Sequence, residues 1–370
     1  MEVLAGKNST EIAALLGDAL GVPAFRGRQV AQALYKRFVR DFDDITDLPQ
    51  SVRTRLANGF ALAPCRVTKT DSADDGTTKY LLALPDDEVV EAVFLPYAGR
   101  TTVCISSQVG CPMACSFCAT GTEGLARNLT AGEIVDQVLC LQQLHPERRI
   151  SNVVLMGMGE PLLNFDAVLK AIRLLHEEVG ISLRHITLST VGVVPNIRKL
   201  AAEDMPITLA VSLHAPNDAL RSELVPLNDK YPIALLMDAC RDYVATTRRR
   251  ITFEYVLMAG VNDTAKEAHE LGALLRREPL VSVNTIPYNT TDVQSRYRRP
   301  SPEATRLFRE IVASYGVTIT QRAEKGHRIA AACGQLKRSA LRLGSAMRPL
   351  PMLAASPALS PQPFEAVSAA

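Results

Sequence analysis

The 370-residue chain has 41 Lys and Arg against 39 Asp and Glu, a formal net charge of +2, with 47% hydrophobic and 22% charged residues. This is the composition of a soluble globular protein, long enough for one large domain with appendages or for two ordinary domains. No run of eighteen apolar residues occurs, which argues against a membrane span, and the acidic start MEVLAGKNSTEIAALLGDAL lacks the parts of a secretory signal, so a cytoplasmic protein is expected.

Residues 1–64 predict a small helical module. TEIAALLGDAL, RGRQVAQALYKRFV and DITDLPQSVRTRLANGF space their apolar residues at the helical period. Their polar faces carry Arg26, Arg28, Lys36, Arg37, Arg40, Arg53 and Arg55. Residues 65–101 read as a small β segment, with strands TTKYLLAL and EVVEAVFLP around a turn at PDD. From about residue 102 strands and helices alternate. The strands are TTVCISSQ, NVVLMGM, HITLST, ITLAVSLH, ITFEYVLM and VSVNTIPY. The clearest helix starts at Thr130, where Thr130 and Glu133 form a capping-box pattern. Six such units imply an α/β fold with a parallel sheet. Because closure takes eight units, the economical architecture over 102–345 is an open, partial (β/α)6 barrel. A further strand GVTITQRA and a helix at ACGQLKRSALRL follow. Residues 346–370, rich in Pro, Ala and Ser, read as a disordered tail.

Eight cysteines are present. Cys65, Cys140 and Cys240 read as small buried hydrophobes. In CISSQVGCPMACSFC, residues 104–118, the last three follow C-x3-C-x2-C. Three thiolates at this spacing suit three irons of a four-iron cluster and leave one iron for a small molecule. Structural zinc is the rival, although zinc prefers two spaced ligand pairs and no clear second pair exists. Other candidates end successive strands: Glu160 and Pro161 in GMGEPLLN, Ser189 in LSTVG, Ser212, Leu213 and His214 in VSLHAPND, and Asn289 in IPYN. Alone, each has an ordinary reading as a turn, a core histidine or a surface hydroxyl. Their shared position at strand ends raises them together.

C-x3-C-x2-C on a partial barrel resembles the radical S-adenosylmethionine (SAM) enzymes. The ordered set EAVFLP, CISSQVGCPMACSFCATG, MGMGEPLLN, SLHAPND, MAGVND and AACGQL narrows this. Across residues 20–340 the chain resembles the radical-SAM adenine methyltransferases of large-subunit ribosomal RNA, the C2-modifying RlmN enzymes and their C8-modifying Cfr relatives. The resemblance implies a 4Fe-4S cluster on Cys111, Cys115 and Cys118. It implies SAM contacts from Glu160, Pro161, Ser189, Ser212, Leu213, His214 and Asn289. Cys333 would take a methyl from one SAM. A radical from a second SAM would remove hydrogen from that methyl, and the carbon would add to the adenine ring. Such a route suits C2 or C8, electron-poor carbons that are poor nucleophiles. Glu91, which as a strand carboxylate would otherwise read as a solvated residue, would accept the adenine proton, and Cys104 would attack the sulfur of Cys333, freeing the product and leaving a transient disulfide.

The resemblance further implies 23S rRNA and transfer RNA as substrates, a flavodoxin or ferredoxin electron donor and a monomer. A C8 methyltransferase and a non-methylating RNA-binding paralogue are the alternatives. The chain departs from the family at Gly326-His327-Arg328-Ile329-Ala330, where two acidic positions are lost, and after IPYN, where TTDVQSRYRRPS replaces a Pro and Gly segment. For RNA contact, Arg248-Arg249-Arg250 and Arg296-Tyr297-Arg298-Arg299 join the basic helical faces as candidates, since cations beside an aromatic suit phosphate and base.

Overall fold

The computed structural model describes residues 1–122, 124–289, 296–322, 325–326, 329, 331 and 334–336. Cys333, the departures at His327, Arg328 and Ala330, the helix expected at 332–343 and the tail expected from 346 lie outside the described residues, in whole or in large part.

A two-residue strand β1 (Glu2–Val3) pairs in parallel with β2 (Phe60–Ala61) and ties the N-terminal module shut. Between them lie α1 (Ser9–Leu20), α2 (Ala24–Lys36) and α3 (Gln50–Gly59), matching the expected helices. An Asn8–Glu11 capping box starts α1. Then come β3 (Arg66–Ser72), β4 (Thr78–Ala83), β5 (Val89–Tyr97) and β6 (Arg100–Cys104), a meander of antiparallel neighbours. Strand β3 escapes the sequence pattern because RVTKTDS is a polar sheet edge, bearing the charged residues that keep edges from pairing further.

The expected strand TTVCISSQ is two strands. After Cys104 the chain leaves the main sheet, and β7 (Gln108–Gly110) pairs with β8 (Leu125–Asn128), closing the base of the cysteine loop. Next is α4 (Ala131–Leu144), with the Thr130–Glu133 capping box formed. Strands β9 (Asn152–Leu155), β10 (Ile186–Thr190), β11 (Thr208–Ser212), β12 (Ile251–Leu257), β13 (Val281–Pro287) and β14 (Ile319–Gln321) extend the sheet from β6, all parallel. The crossovers hold α5 (Phe165–Leu174), α6 (Val194–Ala201), α7 (Asp218–Leu224), α8 (Ile233–Thr247), α9 (Ala265–Leu275) and α10 (Pro302–Ser314). This is the α/β architecture expected, with β14 as a seventh parallel strand.

The sheet is curled. Five strand spacings of about 4.8 Å separate β9 from β14 along the sheet, roughly 24 Å if flat. Yet the Arg322 guanidinium, just past β14, reaches Met156 Sδ, just past β9, at 3.1 Å. A partial barrel results. Its outer face carries Leu188, Leu209, Val211, Ile251, Phe253 and Tyr255, all buried in the core. Parallel register places Cys104, Val154, Thr187, Ser189, Thr208, Ala210, Ser212, Thr252, Glu254, Ser282, Asn284 and Thr320 on the opposite, inner face. Parallel strands are usually apolar on both faces. Here one face is polar, which marks an interior built for a ligand.

The N-terminal module shares its core with the barrel. Arg40 is drawn inward, its Nη1 2.6 Å from Asp136 on α4, and it also donates to the carbonyls of Ala63 and Cys65. Cys65, Cys140 and Cys240 are buried as expected.

Candidate functional site

The C-terminal ends of the parallel strands surround an open cavity, the place where ligands of such sheets bind. Cys111, Cys115 and Cys118 line it, with Glu160, Pro161, Ser189, Ser212 and His214. Thus residues spread over a hundred positions of sequence converge. Burial pushes the Cys111 thiol up to about 12 and also lifts Cys115 well above the usual thiol range, with the neighbouring thiols and Glu160 adding to it. Iron would reverse that, because a bound cation keeps a coordinating thiol deprotonated. No three His, Cys, Asp or Glu side chains among the described residues converge as one metal ion requires. A four-iron cluster puts each thiolate on a different iron, so three thiols around a wider opening still fit it.

The turn after β9 explains the GMGEP spacing. A side chain at Gly157 would stand 2.6 Å from the Ile105 carbonyl, and Gly159 adopts φ +106° against Ser107 and Gln108. Close approach lets the Gln108 carboxamide accept the Glu160 N–H at 2.8 Å. The Glu160 carboxylate accepts the N–H of Leu162 at 3.0 Å and of Val191 at 2.8 Å. Burial outweighs those bonds and lifts its pKa to about 7 from an ordinary 4.5.

His214 adopts φ +61° and is buried, its ring edge-on to Phe117 at 4.7 Å. Its Nδ1 accepts the Val256 N–H at 3.1 Å. Burial, reinforced by the Arg221 charge, lowers its pKa to about 3, so the ring is neutral and Nε2 bears the proton. Leu213 does not line the cavity; its side chain is core, and its N–H donates to the Glu254 carbonyl at 3.0 Å. Asn289 is buried one residue beyond Tyr288, and it is Tyr288 that lines the cavity.

The resolving candidate Cys104 ends β6 on the inner face. Its β5 partner is Val93, so Glu91 shares that face two residues away. A solvated role for Glu91 is excluded: it is 1% exposed and pairs with Lys79 Nζ at 3.3 Å. Neither Cys104 nor Glu91 lines the cavity. Cys333 is outside the described residues, but its chain neighbour Gly334 lines the cavity and accepts the Ala119 N–H at 2.9 Å.

Sequence reasoning missed Arg221, Glu254, Tyr288 and Arg322. Arg221 is 1% exposed and donates to the carbonyls of Val191 (2.7 Å), Leu213 (3.1 Å) and Ser212 (3.2 Å) and to Asn228 Oδ1 (2.9 Å). It pins three loops that carry the site. Glu254 and Arg322 line the cavity, and the alternation Thr252, Glu254, Val256 within β12 was the available signal.

Three basic assignments need correction. Arg40 is bound to Asp136 and does not belong to an exposed face. Tyr297 is 2% exposed, packed on Tyr288 and hydrogen-bonded to Ser116 at 2.7 Å, so it is no base-stacking platform. Arg248–Arg250 precede β12, at the end of the sheet opposite the cavity.

Residues 105–272 match the Radical SAM superfamily, and residues 4–62 match the ribosomal RNA large subunit methyltransferase N-terminal domain. A protein of Symbiobacterium thermophilum called probable dual-specificity RNA methyltransferase RlmN is 48% identical, the match covering 92% of each chain. One of the same name from Thermosynechococcus vestitus is 48% identical over 92% of this chain and 99% of its own. The chain belongs to the RlmN family. A crystal structure of a radical SAM methyltransferase from Sphaerobacter thermophilus superposes with a TM-score of 0.88 at 47% identity, covering 91% of this chain and all of the other. As an RlmN-family member it is a radical SAM methyltransferase, and no helix among the described residues is long and apolar enough to cross a membrane.

The raised Glu160 pKa has a measurable consequence for this RlmN-family protein. The folded state holds the proton more tightly than the unfolded chain, so Glu160 favours the fold below about pH 4.5, and this contribution is lost as pH rises through about 7. Glu160→Gln cannot ionise. Between pH 5 and 8 the metal-free variant is expected to gain up to roughly 3 kcal/mol relative to wild type. Urea unfolding of both proteins across that range checks this, and a constant difference would show that Glu160 titrates normally.

Proposed function

We propose that this protein methylates C2 of an adenine in 23S ribosomal RNA and in transfer RNA, in the cytoplasm, through a methylated cysteine and with two SAM per turnover. The observation carrying this reading is the convergence of Cys111, Cys115, Cys118, Glu160, Ser189, Ser212 and His214 on one cavity, in a chain whose relatives are named dual-specificity RNA methyltransferases RlmN. The match of residues 4–62 to a ribosomal RNA methyltransferase N-terminal domain supports RNA as substrate, with exposed Arg28, Lys36, Arg37 and Arg55 for the phosphates.

When bound, the 4Fe-4S cluster supplies the electron that splits SAM and generates a radical, with flavodoxin or ferredoxin as its source. The chain's residues do the rest. Cys111, Cys115 and Cys118 hold the irons. Glu160, partly ionised near pH 7, faces the SAM ammonium, and the neutral His214 offers an Nε2–H donor. Ser189, Ser212, Pro161 and the backbone at Leu213 shape the SAM site, with Asn289 at the adenine or ribose edge. Cys333 carries the methyl carbon to the ring, and the target adenine must leave its stack to be reached. Glu91 takes the proton from C2. Its ion pair with Lys79 at 3.3 Å fixes where the carboxylate sits. The Cys104 thiolate attacks the Cys333 sulfur, so the carbon–sulfur bond breaks as a disulfide forms; the bonding pair stays on the ring-bound carbon, which takes up a proton to become the methyl group, and an external reductant restores both thiols.

Anaerobic turnover on RNA with labelled SAM, read by nucleoside mass spectrometry, tests this. 2-Methyladenosine is expected. 8-Methyladenosine would place the enzyme with the Cfr branch, and intact cluster and SAM cleavage with neither product would refute methylation. Cys104→Ala is expected to trap a covalent enzyme–RNA adduct visible on denaturing gels. Normal turnover by that variant removes Cys104 from the mechanism.

A further inference from the structure

Glu254 stands apart from the residues discussed above. It lies within β12 on the inner face, opposite Ser212 on one side and Asn284 on the other. It is 5% exposed and lines the cavity. Asn284 Nδ2 donates to its Oε1 at 3.2 Å, and Asn284 Oδ1 accepts from Thr320 at 2.6 Å. This chain holds one carboxylate oxygen. The other, Oε2, is buried and has no hydrogen-bond partner among the described residues. A buried carboxylate oxygen without a donor is costly, and such a group in a ligand cavity points to a donor on the ligand. The terminal torsion of a glutamate is soft, so Oε2 can turn toward the cavity its residue lines.

The surroundings select the kind of donor. Burial raises the Glu254 pKa, the Arg322 guanidinium and the Asn284 hydrogen bond work against that rise, and Arg322 lines the same cavity. With one cation already beside it, a ligand ammonium would meet repulsion, whereas a neutral hydroxyl would not. At the cysteine end, Glu160 already offers a carboxylate to a cationic group. A carboxylate is an acceptor only, and its two oxygens can meet adjacent hydroxyls.

We propose that Glu254 binds the ribose hydroxyls of the adenosyl group, accepting from at least one of them through Oε2. The assignment rests on the reading that this cavity takes SAM. Arg322 and Asn284 act as positioning residues: both favour the ionised carboxylate, and Asn284 orients it through Oε1.

The test uses the cluster-loaded full-length protein and isothermal titration with S-adenosylhomocysteine and its 2′-deoxy and 3′-deoxy analogues. Wild-type protein is expected to bind at least one deoxy analogue about tenfold more weakly, the loss expected for a hydrogen bond to a charged group. Glu254→Ala is expected to bind the parent compound about tenfold more weakly and to treat all three alike. A variant that binds the parent as wild type does, or that keeps the wild-type discrimination, overturns the assignment. If alanine prevents folding, the isosteric Glu254→Gln decides. Reduced discrimination supports the proposal, and full discrimination overturns it. Failure of the cavity reading is separately visible, because wild-type protein would then bind none of the three compounds.

Discussion

Cys115→Ala is expected to eliminate product altogether while leaving a folded protein. The thiol is buried among Phe117, Leu224, Val225 and Tyr297, so its replacement removes one sulfur from an apolar pocket and costs on the order of 1 kcal/mol. The loss to function is total in the proposed mechanism, because a cluster held by two thiolates is not retained. Iron and sulfide analysis of the anaerobically reconstituted variant should show little of either, and mass spectrometry should show no methylated adenosine. A variant that still carries four irons and turns over would mean that the C-x3-C-x2-C triad does not hold the cluster.

Asp136→Ala is expected to cost about 3–5 kcal/mol of stability, since it leaves the Arg40 charge buried without its partner. Asp136 is 1% exposed, and its second oxygen accepts the Cys65 N–H at 2.7 Å, so two groups lose their acceptor together. The pair joins the N-terminal module to α4, and the expected failure is local to that junction. Denaturant unfolding gives the magnitude. The double variant Arg40→Met/Asp136→Leu separates the cause: removing both charges should recover most of the loss. A single variant within 1 kcal/mol of wild type would show that water reaches Arg40.

Much of the architecture was written in local pattern. The apolar period of α1 to α3, the alternation of strands and helices after residue 102 and the Thr130–Glu133 cap each depend on neighbours within a few positions, and each formed as expected. The cysteine triad was legible for the same reason, since its three members lie close together on one loop, and all three line the cavity. Other features depend on partners far away in sequence. Glu91 looked like a solvated strand residue, and Tyr297 looked like an exposed aromatic between arginines. Lys79 and Ser116, respectively, draw them inside. Arg221 resembles any polar residue of a short helix until three strand-end carbonyls converge on it.

By itself, the sequence determined the α/β class, the alternation of strands and helices after residue 102 and the family, because those are carried by periodicity, spacing and ordered motifs. Only the tertiary structure decided which face of the sheet became the interior. Curling brings Arg322 to Met156 across five strand spacings and turns the polar residues of β10 to β14 toward one space. Burial within that space then sets the protonation of Glu160 and His214 and leaves Glu254 with an oxygen awaiting a donor. Charge and hydrogen bonding in a cavity depend on everything that lines it, and no stretch of the chain contains that information alone.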